Sequence, residues 1–246
     1  MEAKRSKALL IVPAFNEEAT LRLVLQELRD IAPQFDVVVV NDGSSDATPE
    51  IARSLGLPVL DLCFNVGIGG AVQTGFKYAL DHGYETAVQV DSDGQFPPER
   101  IASLVSLVLD EGFDMVIGSR YLGEPGYDGS PLRRLGNFIL STIATLFSRQ
   151  KITDATSGFR AYSRRALHYL ADYYPPDYPE PESIVFLARQ GLKIREVPVA
   201  MRARQGGVSS IGGLRPLSYM GKVSLALTLN ALKEKPFPTP ERRREQ

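Results

Sequence analysis

Cysteine is nearly absent. Cys63 is the only one in 246 residues, so no internal disulfide can staple the fold. A chain of this length does not need a staple, because it can bury roughly 70 to 75 % of the surface that it exposes when unfolded. Cys63 follows the apolar run Val59-Leu60-Asp61-Leu62 and reads as a reduced core thiol rather than a nucleophile. Net charge is lacking as well: 28 basic and 29 acidic side chains nearly cancel, without the basic excess that nucleic-acid binding uses. Histidine is scarce. His82 and His168 fall on predicted helices with no cysteine or carboxylate partner at ligand spacing, which gives them no metal or catalytic role. Long hydrophobic runs are also missing. Lys4-Arg5-Ser6-Lys7 precedes only Ala8 to Val12 before Pro13, too short a run for a secretory signal. Phe138 to Phe147 and Leu217 to Leu232 are too short or too interrupted by polar groups to span a bilayer. They suit buried helices, with a membrane interface as the alternative.

What is present alternates. Apolar runs ending in polar residues or glycine are separated by segments of helical spacing, the sign of a mostly parallel sheet covered by helices. Strands are predicted near 8–13, 36–41, 57–62, 86–91 and 113–118, and helices near 17–31, 47–54, 69–81 and 98–111. Beyond Gly118 the pattern loosens. It suggests a helix near 133–148, an irregular piece over 151–163, helices near 164–171 and 181–190, a strand near 193–201 and a last helix near 215–232. This second half builds on the same sheet, so one α/β domain over 1–232 is expected, with 233–246 as a polar, solvated tail.

Asp91-Ser92-Asp93 ends the fourth apolar run and is followed by Gly94-Gln95 and Pro97-Pro98. Two carboxylates two residues apart at a sheet's carboxyl edge are hard ligands suited to a divalent cation on a diphosphate. The same triplet also serves simply to cap a strand or a helix. The first two strands deliver Pro13-Ala14-Phe15-Asn16-Glu17 and Asn41-Asp42-Gly43-Ser44-Ser45-Asp46 to that edge. Asp42 suits a base or ribose hydroxyl, and a turn explains the same residues. Asn65-Val66-Gly67-Ile68-Gly69-Gly70-Ala71 opens a helix, where unbonded amides suit an anion. Close backbone approach to a strand accounts for the glycines equally.

In order, these pieces resemble a family-2 glycosyltransferase of the GT-A fold, a Rossmann-like mixed sheet flanked by helices. Gly118-Ser-Arg-Tyr121 and Ser157-Gly-Phe-Arg160 add to the match, which runs from residue 8 to about 230. The resemblance is closest to dolichyl- and polyprenyl-phosphate sugar transferases and to bacterial cell-surface polysaccharide transferases. The latter share Pro179-Glu-Pro-Glu182 and Gly206-Gly-Val-Ser-Ser-Ile211. It implies a nucleotide-sugar-binding half over 8–118 and an acceptor-side half over 119–232. Pro13, Asn16, Glu17, Asp42, Asn65, Gly69, Asp91 and Gln95 are then expected to hold a UDP- or GDP-sugar. Asp91, Asp93 and Gln95 would hold Mg²⁺ or Mn²⁺, and Arg120, Arg134, Arg204 and Ser209 the acceptor or its phosphate. Relatives that use lipid acceptors often carry carboxyl-terminal transmembrane helices, and none is seen here. The expected location is cytoplasmic, with peripheral attachment at the inner face of the cell membrane. The apolar faces of 135–147 and 217–232, or a small membrane protein partner, would provide it.

The acceptor determines the chemistry. A polyprenyl phosphate is already anionic and needs cations to steer it, whereas a sugar hydroxyl needs a general base. Glu182, at a predicted helix start, is the candidate for that base or for a helix-end carboxylate, and Glu180 is the substitute. A sugar-phosphate nucleotidyltransferase would want a Gly-rich basic loop after the first strand, and Pro13 to Glu17 is not one. Intact Asp91 and Asp93 argue against a non-catalytic nucleotide-sugar-binding subunit.

Overall fold

The computed structural model describes residues 7–123, 131–175, 178–202 and 223. Seven strands form one sheet in the order β3-β2-β1-β4-β6-β5-β7. Strands β1 (Ala8–Ala14), β2 (Asp36–Asn41), β3 (Val59–Asp61) and β4 (Thr86–Gln89) run parallel to one another. β5 (Met115–Ser119) runs parallel to β7 (Ile194–Pro198), and β6 (Arg160–Ser163) lies antiparallel between β4 and β5. Helices α1 (Leu21–Ile31), α2 (Thr48–Ser54), α3 (Gly67–Asp81), α4 (Ile101–Leu109), α5 (Pro131–Ser148), α6 (Arg164–Tyr173) and α7 (Pro179–Arg189) connect or cover the strands.

β1 and β2 are covered on both faces, which is why they read as nearly unbroken apolar runs rather than as alternating ones. Successive side chains of β1 enter opposite cores. Leu9 and Ile11 join Val38, Val40, Phe76 and Tyr162 on one face, while Leu10 and Val12 join Val39, Leu25, Leu104 and Phe159 on the other. Leu21, Val24, Leu25 and Leu28 give α1 one buried stripe, at the spacing that a helix needs to sit on a sheet. Helix α3 crosses β1 closely: a Cβ at Gly75 would stand 2.4 Å from Ile11 Cγ2.

Three expectations change. Residues 160–163, expected to be irregular, form β6, which bonds to strands on both sides. Arg-Ala-Tyr-Ser has no strand periodicity of its own, and the gap between β4 and β5 imposes the conformation. β6 thereby ties the second half of the chain into the same sheet as the first. The third strand is only Val59–Asp61, and Cys63 lies beyond it, exposed rather than in the core. Helix α7 starts two residues earlier than expected, at Pro179, since a proline at the first helical position loses no hydrogen bond. Of the expected helix 215–232, only Val223 is among the described residues; it is helical and buried. The tail 233–246 lies outside them.

Candidate active site

Because β1, β2 and β4 are parallel, their carboxyl ends open on one edge, where ligands of open α/β sheets bind. A cleft of about 420 Å³ lies there. Pro13, Ala14, Phe15 and Glu17 after β1, Asp42 after β2, and Asn65, Gly67, Ile68 and Ala71 at the start of α3 form part of its lining. Asp91, Ser92 and Asp93 after β4, with Glu180 in the first turn of α7, complete it. Of the residues expected at the donor and metal, Pro13, Glu17, Asp42, Asn65, Asp91 and Asp93 therefore do meet in one cleft.

Asn16, Gly69 and Gln95 do not line it. Asn16 has φ +54°, a left-handed conformation that asparagine tolerates better than most residues. It ties two loops together: its amide donates to Ser44 Oγ at 3.0 Å and its Oδ1 accepts the Ser45 amide at 2.9 Å. Gly69 is buried within α3. The Gln95 amide donates to Asp93 Oδ1 at 3.0 Å, so the turn after β4 orients Asp93 through the backbone.

Asp42 already has partners. Its Oδ1 accepts the Val66 amide at 2.8 Å and its Oδ2 the Gly67 amide at 3.0 Å. These are amides of the start of α3, whose orphan donors and positive dipole end favour a carboxylate. Two amides of the glycine-rich loop are thus bonded to Asp42 rather than left for an anionic ligand, one of the two roles that the sequence allowed for this loop. Each Asp42 oxygen keeps a second lone pair for a ligand hydroxyl or amine. Gly43, at φ +70°, is needed for this approach, since a Cβ there would stand 2.7 Å from the Phe64 and Asn65 backbone.

The electrostatics of the cleft are one-sided. Burial raises the Asp91 carboxyl to about 7, and the charges of Asp93 and Glu180 push in the same direction. Burial also raises Glu180, while the Arg160 charge, its own backbone amide and Arg120 pull it back. Carboxylates crowded this way ionise together only when a cation neutralises them.

Glu180 lines the cleft; Glu182 does not. Both lie in the first turn of α7, and Glu182 is buried. Helical residues two apart point to different sides, so only one of the pair can face the cleft, and with Glu182 buried that one is Glu180. Arg120 is likewise engaged elsewhere. Its Nε and Nη2 each donate to the Asp154 carboxylate at 2.7 Å, and Nη2 also reaches Thr156 Oγ1 at 2.6 Å. The expected phosphate contact is a buried fork that holds Asp154, although its charge still lowers Asp91 and Glu180. Arg134 is exposed on α5, and Arg204 and Ser209 lie outside the described residues. Sequence reasoning passed over Phe15, Ile68, Ala71 and Ser92 as site residues. Phe15 was legible: a large aromatic directly after an apolar strand, here 46 % exposed in the cleft, is a platform for a planar ring.

Residues 9–170 match the family model for glycosyl transferase family 2. The chain belongs to that family. Over 231 residues it is 33 % identical to the polyprenol monophosphomannose synthase of Mycolicibacterium smegmatis, with 89 % of this chain and 86 % of that protein covered. Over 216 residues it is 33 % identical to the undecaprenyl-phosphate mannosyltransferase of Micrococcus luteus, with 84 % and 88 % covered. Among solved structures, the glucosyl-3-phosphoglycerate synthase of Mycobacterium tuberculosis, in complex with Mn²⁺, UDP and glucosyl-3-phosphoglycerate, superposes with TM-score 0.67. It covers 94 % of this chain and 82 % of its own, at 21 % identity. The shared fold is GT-A, and this family-2 member is a glycosyltransferase.

Proposed function

We propose that this glycosyltransferase moves a sugar from a UDP- or GDP-sugar to a polyprenyl phosphate, with Mg²⁺ or Mn²⁺ at Asp91 and Asp93. The observation that carries this reading is the joining of Asp42, Asp91 and Asp93 in one cleft, in a chain one-third identical, over most of its length, to a polyprenol monophosphomannose synthase and an undecaprenyl-phosphate mannosyltransferase. The donor set suits such a metal. Among the described residues no group of three or more His, Cys, Asp or Glu could cage an ion. Two carboxylates that leave the remaining positions to diphosphate oxygens and water are what Mg²⁺ typically takes. When bound, the cation supplies Lewis acidity against the charge that grows on the departing nucleoside diphosphate.

The residues of the chain do the rest. Phe15 offers its ring face to the base, Asp42 its remaining lone pairs to base or ribose, and the strand-end carboxylates fix the diphosphate. Glu180, which lines the same cleft, accepts a hydrogen bond from a hydroxyl of the transferring sugar. The acceptor phosphate then attacks from the opposite face, and alignment of the two is the main contribution of the protein. Arg134, Arg204 and Ser209 remain the expected phosphate contacts. A second reading, transfer to a sugar hydroxyl, is favoured by one fact: Glu180 is an acid in the cleft whose carboxyl is raised by burial, as suits a general base.

The two readings separate on acceptors. With a short-chain polyprenyl phosphate, Glu180→Gln should lose about tenfold, the scale of one charge-assisted hydrogen bond, because the nucleophile is already ionised. Activity on free sugars alone, with Glu180→Gln losing a hundred- to ten-thousandfold as general-base removal does, would overturn the phosphate acceptor.

A lipid acceptor also requires the enzyme to meet a membrane. No helix among the described residues is long and apolar enough to cross one. On α5, however, Leu135, Phe138 and Leu146 are 52, 67 and 71 % exposed. They share one helix face, flanked by exposed Arg134 and Arg149, a pattern suited to an anionic lipid surface. Co-sedimentation with phosphatidylglycerol vesicles should be strong for the wild type and lost in Phe138→Glu. Equal binding of the two would remove α5 from the membrane contact, and absence of wild-type binding would leave a small membrane protein as the attachment.

A further inference from the structure

Arg160 is the largest of the fully buried side chains, with no exposed surface. Taking a guanidinium out of water is costly unless its donors are met and its charge is answered. Among the described residues, four hydrogen bonds of its guanidinium go to neutral oxygens. Nε donates to Ser157 O at 2.7 Å and Nη2 to Ala155 O at 3.0 Å. Nη1 donates to Glu180 O at 2.7 Å and to Ser183 Oγ at 3.0 Å. Ser183 Oγ in turn donates to Glu180 O at 3.1 Å, closing a triangle over the first turn of α7.

The partners of the fork lie on two walls. Ala155 and Ser157 belong to the segment entering β6, which runs behind Asp91: a Cβ at Gly158 would stand 2.9 Å from Asp91 Oδ2. Glu180 and Ser183 belong to α7. Arg160 itself pairs across the sheet with Gln89, whose side-chain amide is 3.4 Å from Asp91 Oδ1. One planar group therefore spans from the segment entering β6, which lies against Asp91, to the helix that carries the cleft acid. A lysine cannot replace it, because a single ammonium on a flexible stem cannot hold four acceptors in fixed directions.

We propose that Arg160 is a positioning residue that fixes the first turn of α7 against the segment entering β6 and so sets where the Glu180 carboxylate stands in the donor cleft. This rests on the reading of Glu180 as the acid facing the transferring sugar. Arg160 touches no reacting atom; its effect passes through Glu180.

The test is a double-mutant cycle on the full chain, with binding measured beside turnover. Arg160→Lys should lower kcat about three- to tenfold. Affinity for Mn²⁺ with UDP or GDP, whichever the wild type binds more tightly, should change less than twofold, because Phe15, Asp42 and Asp93 are untouched. In a Glu180→Gln background, Arg160→Lys should cost less than a further twofold. Ser183→Ala, which removes one of the four bonds, is run in the same cycle and should show a smaller loss with the same lack of additivity. It carries the test if Arg160→Lys does not fold. Multiplicative losses, a parallel fall in nucleotide affinity, or unchanged kcat would overturn the role of Arg160. Full activity of Glu180→Gln alone would overturn it too, and would show that the fault lies in the reading of Glu180.

Discussion

Asp93→Asn is expected to lower kcat by about a hundred- to a thousandfold, the cost of removing one preorganised group that stabilises transition-state charge. The substitution is isosteric, and an asparagine Oδ1 can still accept the Gln95 amide that now bonds Asp93 at 3.0 Å. The turn after β4 should therefore hold and thermal stability should barely move. Asp91→Asn should act differently, weakening donor binding, because burial and the neighbouring Asp93 and Glu180 charges raise its carboxyl to about 7 without a cation. Initial rates with saturating Mn²⁺, paired with melting curves, check both. Near-normal turnover of Asp93→Asn in the presence of a chelator would remove the cation from the mechanism.

Asp154→Ala should be the most destabilising single change among the ion pairs of the described residues. The Asp154 side chain is fully buried and its partner Arg120 is 11 % exposed. The pair is bidentate, and Thr156 and the Arg120 amide bond to the same groups. Breaking a buried pair from one side strands the other charge and costs roughly 3–5 kcal/mol. For a domain of this size that is a fall in Tm on the order of 10 °C. The comparison is Arg53→Ala, which breaks a pair with Asp61 in which both side chains are about half exposed and should change stability by less than about 1 kcal/mol. Equal shifts for the two variants would show that Arg120 is not committed to Asp154.

The local signals in the chain were strong where each element is its own explanation. Parallel strands buried on both faces favour continuous apolar runs, so β1 and β2 could be marked from Leu, Ile and Val alone, β5 from Met115-Val116-Ile117, and β4 from the short apolar run that ends at Asp91. The turns that leave them must carry polar residues, so Asp42, Asp91 and Asp93 could be placed on one edge before any coordinates were known. Order along the chain, together with the direction of parallel strands, is enough to bring those three together.

Contacts between distant segments had no such signature. Arg120 and Asp154 are separated by 34 positions, and nothing in either neighbourhood announces that the guanidinium turns inward rather than toward a phosphate. β6 is a strand because two strands bond to it, not because Arg-Ala-Tyr-Ser favours one. Asp42 occupies the amides of α3 because Gly43 lets two loops touch. The choice of Glu180 over Glu182 turns on which face of α7 packs inward, and both residues lie in the same first turn. Burial pattern and chain order are local properties and survive in a string of letters. Which charge is paired and which faces the cleft depends on the packing of segments far apart in sequence, and arises only once the chain is folded.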